Sequence, residues 1–181
     1  MITSNEFIQR LLDAAKNHKT VYANGMFGHL VTEEIISQKT QQLPGWYTAS
    51  RQAELRGLIE KEYFGFDCVC LVKGILWGWN GDASKKYGGA VYQSNGVPDI
   101  TEGQMINACN GVSSDFTSLV PGEFLWMQGH CGVYIGDGLA VECTPKWDNC
   151  VQITAVGNLG SKSGYNSRTW SKHGKLPYVE Y

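Results

Sequence analysis

Residues 64–77 read FGFDCVCLVKGILW, which predicts a turn over 64–67 and a strongly apolar helix from Cys68 to about Trp77. Asp67 is a favourable N-cap residue, so Cys68 falls in the first helical turn. There a sulfur meets the positive end of the helix dipole, which favours the thiolate that attacks carbonyl carbons. The segment makes Cys68 a candidate nucleophile. The alternative is that Cys68 is a plain buried helix residue.

The same helical turn supplies a second element of carbonyl chemistry. Its backbone N–H groups lack helical acceptors, so the N–H of Cys68 can form half of an oxyanion hole. Cys70 lies two positions further on and faces another side of the helix. We interpret Cys70 as a core residue.

The rest of the chain predicts helices before this segment and mainly strands after it. The predicted elements are a helix from Thr3 to about Asn17, a short strand and loop over 20–28, a short helix capped by Thr32, a helix capped by Ser50, a surface excursion over 78–98, a short helix over 101–110 closed by Gly111, and strands over 124–127, 130–135, 139–143, 151–155 and 176–181. This order predicts an α+β fold in one domain, 1–181.

A base for the thiol must come from one of four histidines. His130 follows Gly129 and opens a strand beside a tight hairpin, a rigid position for a base. His18 and His173 lie in polar segments and are expected to be solvated. His29 follows a glycine in a loop, where a role on the substrate side stays open. We therefore select His130.

A third group should orient the imidazole, and the strand after the hairpin offers Glu142. If the hairpin loop comprises residues 136–138, Gly132 pairs with Glu142, and His130 and Glu142 become diagonal neighbours on one face. If the turn has only two residues, Glu142 pairs with Val133 and faces away. The register of this hairpin therefore decides whether the triad can form.

Composition excludes several classes of function. The 181 residues are 43% hydrophobic and 18% charged, with a formal net charge of −2, which argues against disorder and against a nucleic-acid surface. No apolar run reaches the roughly 20 residues that span a bilayer. The beginning of the chain lacks the basic and apolar regions of a signal peptide. Six cysteines show no C-x-x-C spacing, and a chain of this size needs no disulfide.

Three motifs resemble the NlpC family of bacterial cell-wall cysteine peptidases. Residues 66–72 (FDCVCLV) are similar to its nucleophile motif. Residues 121–126 (PGEFLW) resemble the strand that precedes its histidine. Residues 129–138 (GHCGVYIGDG) are similar to its histidine motif. The family places its third catalytic residue twelve positions after the histidine, which is Glu142 here.

The chain departs from the family pattern in three ways. Val69 and Cys70 replace the Ser-Gly that follows the nucleophile. Residues of about 30–63 look like a helical insertion. The family's Tyr-x-x-Gly segment matches best at residues 22–25, more than forty positions before the nucleophile. The resemblance implies a substrate-site role for Tyr22, near the oxyanion, and we also assign Asp67 to substrate binding.

The resemblance implies a papain-like endopeptidase that cuts peptidoglycan stem peptides, typically between D-glutamate and the next diamino acid. It implies no cofactor or metal, no nucleic-acid or membrane partner, and a monomer. A phage or prophage lysin, cytoplasmic until holins release it, fits this expectation, as does an exported effector. The alternatives are an N-acetylmuramoyl-L-alanine amidase on the same fold, a non-catalytic wall-binding module, or an acyltransferase on a similar fold.

Overall fold

The computed structural model describes residues 1–181 as five α-helices and twelve strands in three sheets. The helices are α1 Ser4–Asn17, α2 Glu33–Gln42, α3 Ala49–Arg56, α4 Cys68–Leu76 and α5 Glu102–Ala108. The strands are β1 Ile2–Thr3, β2 Lys19–Tyr22, β3 Phe27–Leu30, β4 Tyr63–Phe66, β5 Asn110–Ser113, β6 Phe124–Met127, β7 His130–Gly136, β8 Leu139–Thr144, β9 Cys150–Val156, β10 Ser167–Arg168, β11 Lys172–Lys175 and β12 Val179–Glu180. The predicted α+β class is confirmed. No helix is long and apolar enough to cross a membrane.

The largest sheet has seven strands in the order β10-β9-β8-β7-β6-β11-β5. Its central strands β6 to β9 are consecutive antiparallel neighbours, as the alternating pattern after residue 124 predicts. Short edge strands complete it, and β10 runs parallel to β9. This sheet holds His130 and Glu142 on adjacent strands, β7 and β8.

Helix α4 is the central helix of the molecule, and all nine of its residues are buried. It packs against β7 and β8 of the large sheet and against β3 of the small one. Gly74 allows the closest approach, since a Cβ at this position would lie 2.5 Å from the backbone oxygen of Phe27. Cys68 is therefore fixed at the first residue of a helix whose position two sheets determine.

The predicted turn over 64–67 is wrong. Residues 63–66 form strand β4, the centre of a small sheet in the order β2-β4-β3. Its β2 neighbour is parallel, and Tyr22 pairs with Phe66, two residues before Cys68. Gly65 lies beside Met26, where a Cβ would come within 2.3 Å of the sulfur. This small sheet brings Tyr22 next to the nucleophile despite their distance in sequence.

The β7–β8 hairpin combines features of both predicted registers. Its turn has two residues, Asp137 and Gly138, both with positive φ (52° and 72°), and Gly136 pairs with Leu139. An irregularity then shifts the register, so that Val133 pairs with Val141. Continued along the strands, this register sets Glu142 opposite Gly132. Because of this bulge, Glu142 lies on the face of the sheet that was predicted for a three-residue loop, although the turn has only two residues.

Two histidines that were predicted to be solvated are buried or half-buried. His173 is 2% exposed and hydrogen-bonds Glu123 (Nδ1 to Oε2, 2.7 Å) and the backbone oxygen of Asp115 (3.0 Å). His18 is half-buried and packs edge-on to Trp79, with ring centroids 5.0 Å apart. Both were misplaced because long-range packing cannot be read from polar neighbours in the sequence.

Other boundaries differ at element ends. The third helix is capped by Thr48 rather than Ser50. Helix α5 ends at Ala108, and Gly111 lies in β5. Within the predicted closing strand over 176–181, only β12, Val179–Glu180, is a strand, and β11 ends before it at Lys175. The 78–98 excursion contains neither helix nor strand, as expected.

Candidate active site

Cys68 opens α4 in the arrangement that the sequence predicts. One Asp67 oxygen accepts the N–H of Cys70 at 2.7 Å and caps the helix. The other accepts the N–H of Gly25, also at 2.7 Å, and ties the β2–β3 turn to the helix. The backbone N–H groups of Cys68 and Val69 donate to no protein acceptor. These free donors at the helix start are positioned to bind an oxyanion.

His130 and Glu142 come together as the triad interpretation requires. Nε2 of His130 lies 2.6 Å from Oε2 of Glu142. Because the carboxylate only accepts, Nε2 carries a proton and Nδ1 is left to face Cys68. The ring of Trp170 stacks nearly parallel to that of His130, 5.6 Å between centroids and 14° between planes. The imidazole is thus held by a hydrogen bond and by an aromatic surface.

Glu142 is fully buried and belongs to a network that the sequence did not reveal. Its Oε1 accepts the hydroxyl of Thr154 at 2.7 Å, and Oε2 also accepts Nε of Arg168 at 2.7 Å. Burial alone would raise the pKa of Glu142, but the bonds from His130 and Thr154 and the charge of Arg168 lower it. Thr154 lies on β9, the strand paired with β8. Arg168 lies on an edge strand, and no sequence motif marks it.

Two neighbours make Cys68 acidic. A hydrogen bond with Cys131 is the largest influence, and one with His130 also favours the thiolate, against the opposing effect of burial. The pKa of Cys68 falls to about 6. Burial favours a neutral His130, but contacts with Cys68 and Glu142 raise its pKa. A thiolate–imidazolium pair is therefore favoured near neutral pH.

The other buried cysteines behave differently. Burial raises the pKa of Cys70, Cys131 and Cys143 well above that of a free thiol. All six cysteines are free of disulfide bonds. Cys70 is 7% exposed, in line with its interpretation as a packed residue, although it also reaches the wall of the cleft. Only Cys68 combines a low pKa with a helix start and a histidine.

A cleft of about 820 Å³ opens beside Cys68. Tyr22 lines it, with its pKa raised by burial and next by the charge of Cys68. Asp67 also lines it, but both its oxygens bond backbone N–H groups, which gives it a structural role at the helix start. The walls of the cleft come from β2, β3, α2, α4 and the segments 87–92 and 99–104. The substrate-binding roles of Tyr22 and Asp67 stay predictions.

No group of three or more His, Cys, Asp or Glu side chains is arranged to hold a metal ion. The structure brings together Cys68, His130 and Glu142, the residues predicted to be nucleophile, base and orienting group. Their catalytic role stays a prediction.

Comparisons with known proteins give limited information. No protein-family model matches the chain, and no curated protein matches it. Among solved structures, the chain is similar to that of NlpC1 from Trichomonas vaginalis, with a TM-score of 0.43 and 12% identity over 96% of this chain. The match spans 44% of that protein's length.

Proposed function

We propose that this protein is a papain-like cysteine hydrolase that cleaves the stem peptides of bacterial peptidoglycan. The observation that carries the chemistry is that Cys68, at the start of α4, has its pKa lowered by the neighbouring His130, whose Nε2 lies 2.6 Å from Oε2 of Glu142. The sequence resemblance of residues 66–72, 121–126 and 129–138 supports the choice of wall peptide as substrate.

In the first half of the proposed reaction, the Cys68 thiolate attacks the carbonyl carbon of the scissile amide. The developing oxyanion meets the free N–H groups of Cys68 and Val69, with the hydroxyl of Tyr22 lining the same cleft. His130 gives its Nδ1 proton to the leaving amine, and the C–N bond breaks. A thioester on Cys68 and a free amine result.

In the second half, a water molecule replaces the amine. His130, now neutral, takes a proton from the water, whose oxygen attacks the thioester carbon. The C–S bond breaks, the acid product leaves, and the thiolate–imidazolium pair is restored. Glu142 keeps the Nε2 proton in place through both halves, so that Nδ1 alone exchanges protons with the substrate and water.

The lytic setting is part of the same proposal. A protein of this kind acts on the wall after release from the cytoplasm by holins or after export, and works as a monomer. These points are supported by the resemblance alone.

Digestion of purified peptidoglycan tests the proposal. Wild type, Cys68→Ala and Cys70→Ala are compared by turbidity loss and by mass spectrometry of the released fragments. We expect wild type and Cys70→Ala to release stem-peptide fragments and Cys68→Ala to release none. The fragment masses distinguish a D-glutamyl bond from the N-acetylmuramoyl-L-alanine amide bond. Equal digestion by Cys68→Ala, or an inert wild type on walls of all major types, would refute the proposal.

A further inference from the structure

We propose that His29 and Lys39 form a subsite in the active-site cleft that binds a free carboxylate of the substrate. Both residues line the cleft that contains Cys68. They come from β3 and α2, outside the motifs that resemble the NlpC family. The inference rests on the proposed function, because it names the group by which the peptide substrate is recognised.

His29 presents a hydrogen-bond donor to the cleft. Its Nδ1 accepts the backbone N–H of Phe27 at 3.1 Å, so the ring proton must sit on Nε2. His29 is only 3% exposed, yet its Nε2–H donates to no protein group and still reaches open space. Burial lowers the pKa of His29 to about 3, helped by the charge of Lys39, so the ring is neutral. This donor is therefore available to an acceptor that enters the cleft.

Lys39 adds a positive charge to the same wall. It is half-buried in the last turn of α2, and its ammonium group lies near Gly25 in the β2–β3 turn. It makes no ion pair and no side-chain hydrogen bond within the protein. Like His29, it lines the cleft that contains Cys68. An ammonium group in a cleft without a counter-ion favours an anionic ligand.

The charges of Asp67 and Asp99 act on Lys39, but no carboxylate that lines the cleft forms an ion pair with it. Asp67 is occupied by two backbone N–H groups. Asp99 is occupied by Lys73 and by the hydroxyl of Tyr92. Glu102, the third, forms no ion pair. The ammonium group of Lys39 therefore has no carboxylate bonded to it on this wall.

A carboxylate matches this wall better than an amide does. Its two oxygens can accept from Nε2–H of His29 and from the ammonium of Lys39 at once, whereas an amide brings one acceptor and no charge. A stem peptide carries such a group at two places, on the D-glutamyl residue and at its carboxyl terminus. The shared chemistry is a free carboxylate on the peptide, and experiment must separate the two sources.

Binding to the inactive Cys68→Ala protein tests the inference without cleavage. Three peptides of sequence L-Ala-γ-D-Glu-L-Lys-D-Ala are titrated by calorimetry: one with both carboxylates free, one amidated at the glutamyl carboxylate, and one amidated at the carboxyl terminus. We expect amidation at one of the two places to weaken binding about tenfold or more. The position that matters identifies the source.

In the same titrations, Cys68→Ala/Lys39→Met should no longer discriminate between the free and the amidated peptides. Cys68→Ala/Lys16→Met is the matched control, because Lys16 is an exposed helical lysine outside the cleft, and it should keep the discrimination. His29→Asn in the same background retains an acceptor for the Phe27 N–H but shortens the donor, and it should reduce the discrimination. Thermal unfolding of each variant confirms that it is folded.

The outcomes separate this inference from the proposed function. If Cys68→Ala binds all three peptides equally, or binds none, or discriminates equally with Met at position 39, the carboxylate subsite is wrong. Each of these results is compatible with wall digestion by the wild type. If the wild type digests no wall, the proposed function fails, while Lys39-dependent discrimination among the peptides would still support the subsite.

Discussion

The ionisation of Cys68 is the first property that can be measured on a single residue. Its pKa of about 6 rests first on the hydrogen bond with Cys131 and next on the one with His130. We expect alkylation of Cys68 by iodoacetamide to follow a titration curve with its midpoint near pH 6, read by mass spectrometry of the labelled peptide. The curve should move to higher pH in Cys131→Ala and in His130→Ala, because each variant removes a group that favours the thiolate.

The other thiols serve as internal controls in the same experiment. Burial raises the pKa of Cys70 and Cys143, so both should stay unlabelled below pH 8 in the folded protein. A midpoint for Cys68 near that of an ordinary thiol, or labelling of Cys70 ahead of Cys68, would contradict this assignment.

Arg168 is the residue whose effect on the site is least visible in the sequence. It shares Oε2 of Glu142 with His130 and so draws off part of the negative charge that favours the imidazolium. We expect Arg168→Met to raise the pKa of His130 and to extend the alkaline limb of the rate profile to higher pH. NMR titration of the His130 ring protons measures this directly.

Arg10→Met is a suitable control for the loss of an arginine, since Arg10 pairs with Glu6 on exposed surface. A merely structural role for Arg168 would lower the amount of folded enzyme without moving the His130 titration. An unchanged or lowered His130 pKa in folded Arg168→Met would show that Arg168 does not tune the base.

At the scale of single residues, the sequence was enough to predict that Cys68, His130 and Glu142 lie together. It was not enough to predict which residues surround them. The first three follow from local rules: a capped helix start, a strand end, and a hairpin register. Arg168, Thr154 and Trp170 reach the site through sheet pairing and side-chain packing that no spacing in the sequence encodes. Cys131 follows His130 and belongs to the histidine motif, but its effect on Cys68 became evident only from the structure.

Helix α4 offers the sharpest test at the scale of elements. Replacing a helical glycine by alanine ordinarily stabilises a helix by about 1 kcal/mol. In Gly74→Ala the new Cβ would lie 2.5 Å from a backbone oxygen of β3, and overpacking of this kind costs about 1–3 kcal/mol. We therefore expect Gly74→Ala to lower the free energy of unfolding, measured by urea denaturation, and to disturb Cys68 at the start of the same helix.

Gly103→Ala is the matched control within α5. The nearest atom to its new Cβ would be the Thr101 hydroxyl oxygen at 4.0 Å, so nothing opposes the gain in helix propensity. Its unfolding free energy should be unchanged or raised by up to about 1 kcal/mol. If both variants were stabilised alike, the close packing of α4 against β3 would be disproved.

Element types were predictable where periodicity was strong, and boundaries failed where tertiary contacts decide them. Helix α1 and strands β6 to β9 follow from their hydrophobic patterns. Strand β4 was missed because its glycine and aromatic residues are typical of a turn, while its pairing with β2 and β3 comes from distant segments. The hairpin bulge was missed because both simple registers were compatible with the same glycines.

For the whole molecule, buried charge makes stability depend on pH. The pKa of Glu142 in the folded protein lies below its usual value of 4.5, so its stabilising contribution is complete above about pH 4.5 and is lost as the pH falls through the folded value. We expect the free energy of unfolding to fall below pH 4.5. It should fall less steeply in Glu142→Gln, which has no carboxylate to protonate.

Urea denaturation between pH 3 and pH 7 measures both profiles. Glu142→Gln should also be less stable than wild type at pH 7, because Arg168 then lacks its partner in a largely buried site. Parallel profiles for the two proteins would show that Glu142 contributes nothing to the acid sensitivity.

The α+β architecture was predictable from the order of elements, and the assembly of the site was not. Residues from Tyr22 to Gly129 line one cleft, and β2, β4 and α4 bring Tyr22 to Cys68 across more than forty residues. The walls formed by α2 and β3 belong to the segment that the motifs did not cover. Their contribution to substrate choice could be inferred only from the folded structure.

Trapping the acyl-enzyme tests most directly whether Cys68 is the nucleophile. Wild type is mixed with a stem peptide, quenched in acid within the first turnovers, and mapped by tandem mass spectrometry. We expect a thioester of the acyl fragment on Cys68 and on no other cysteine, with the amine fragment released in equal amount and with neither product from Cys68→Ala. An acyl group on Cys70, or hydrolysis that persists in Cys68→Ala, would contradict it.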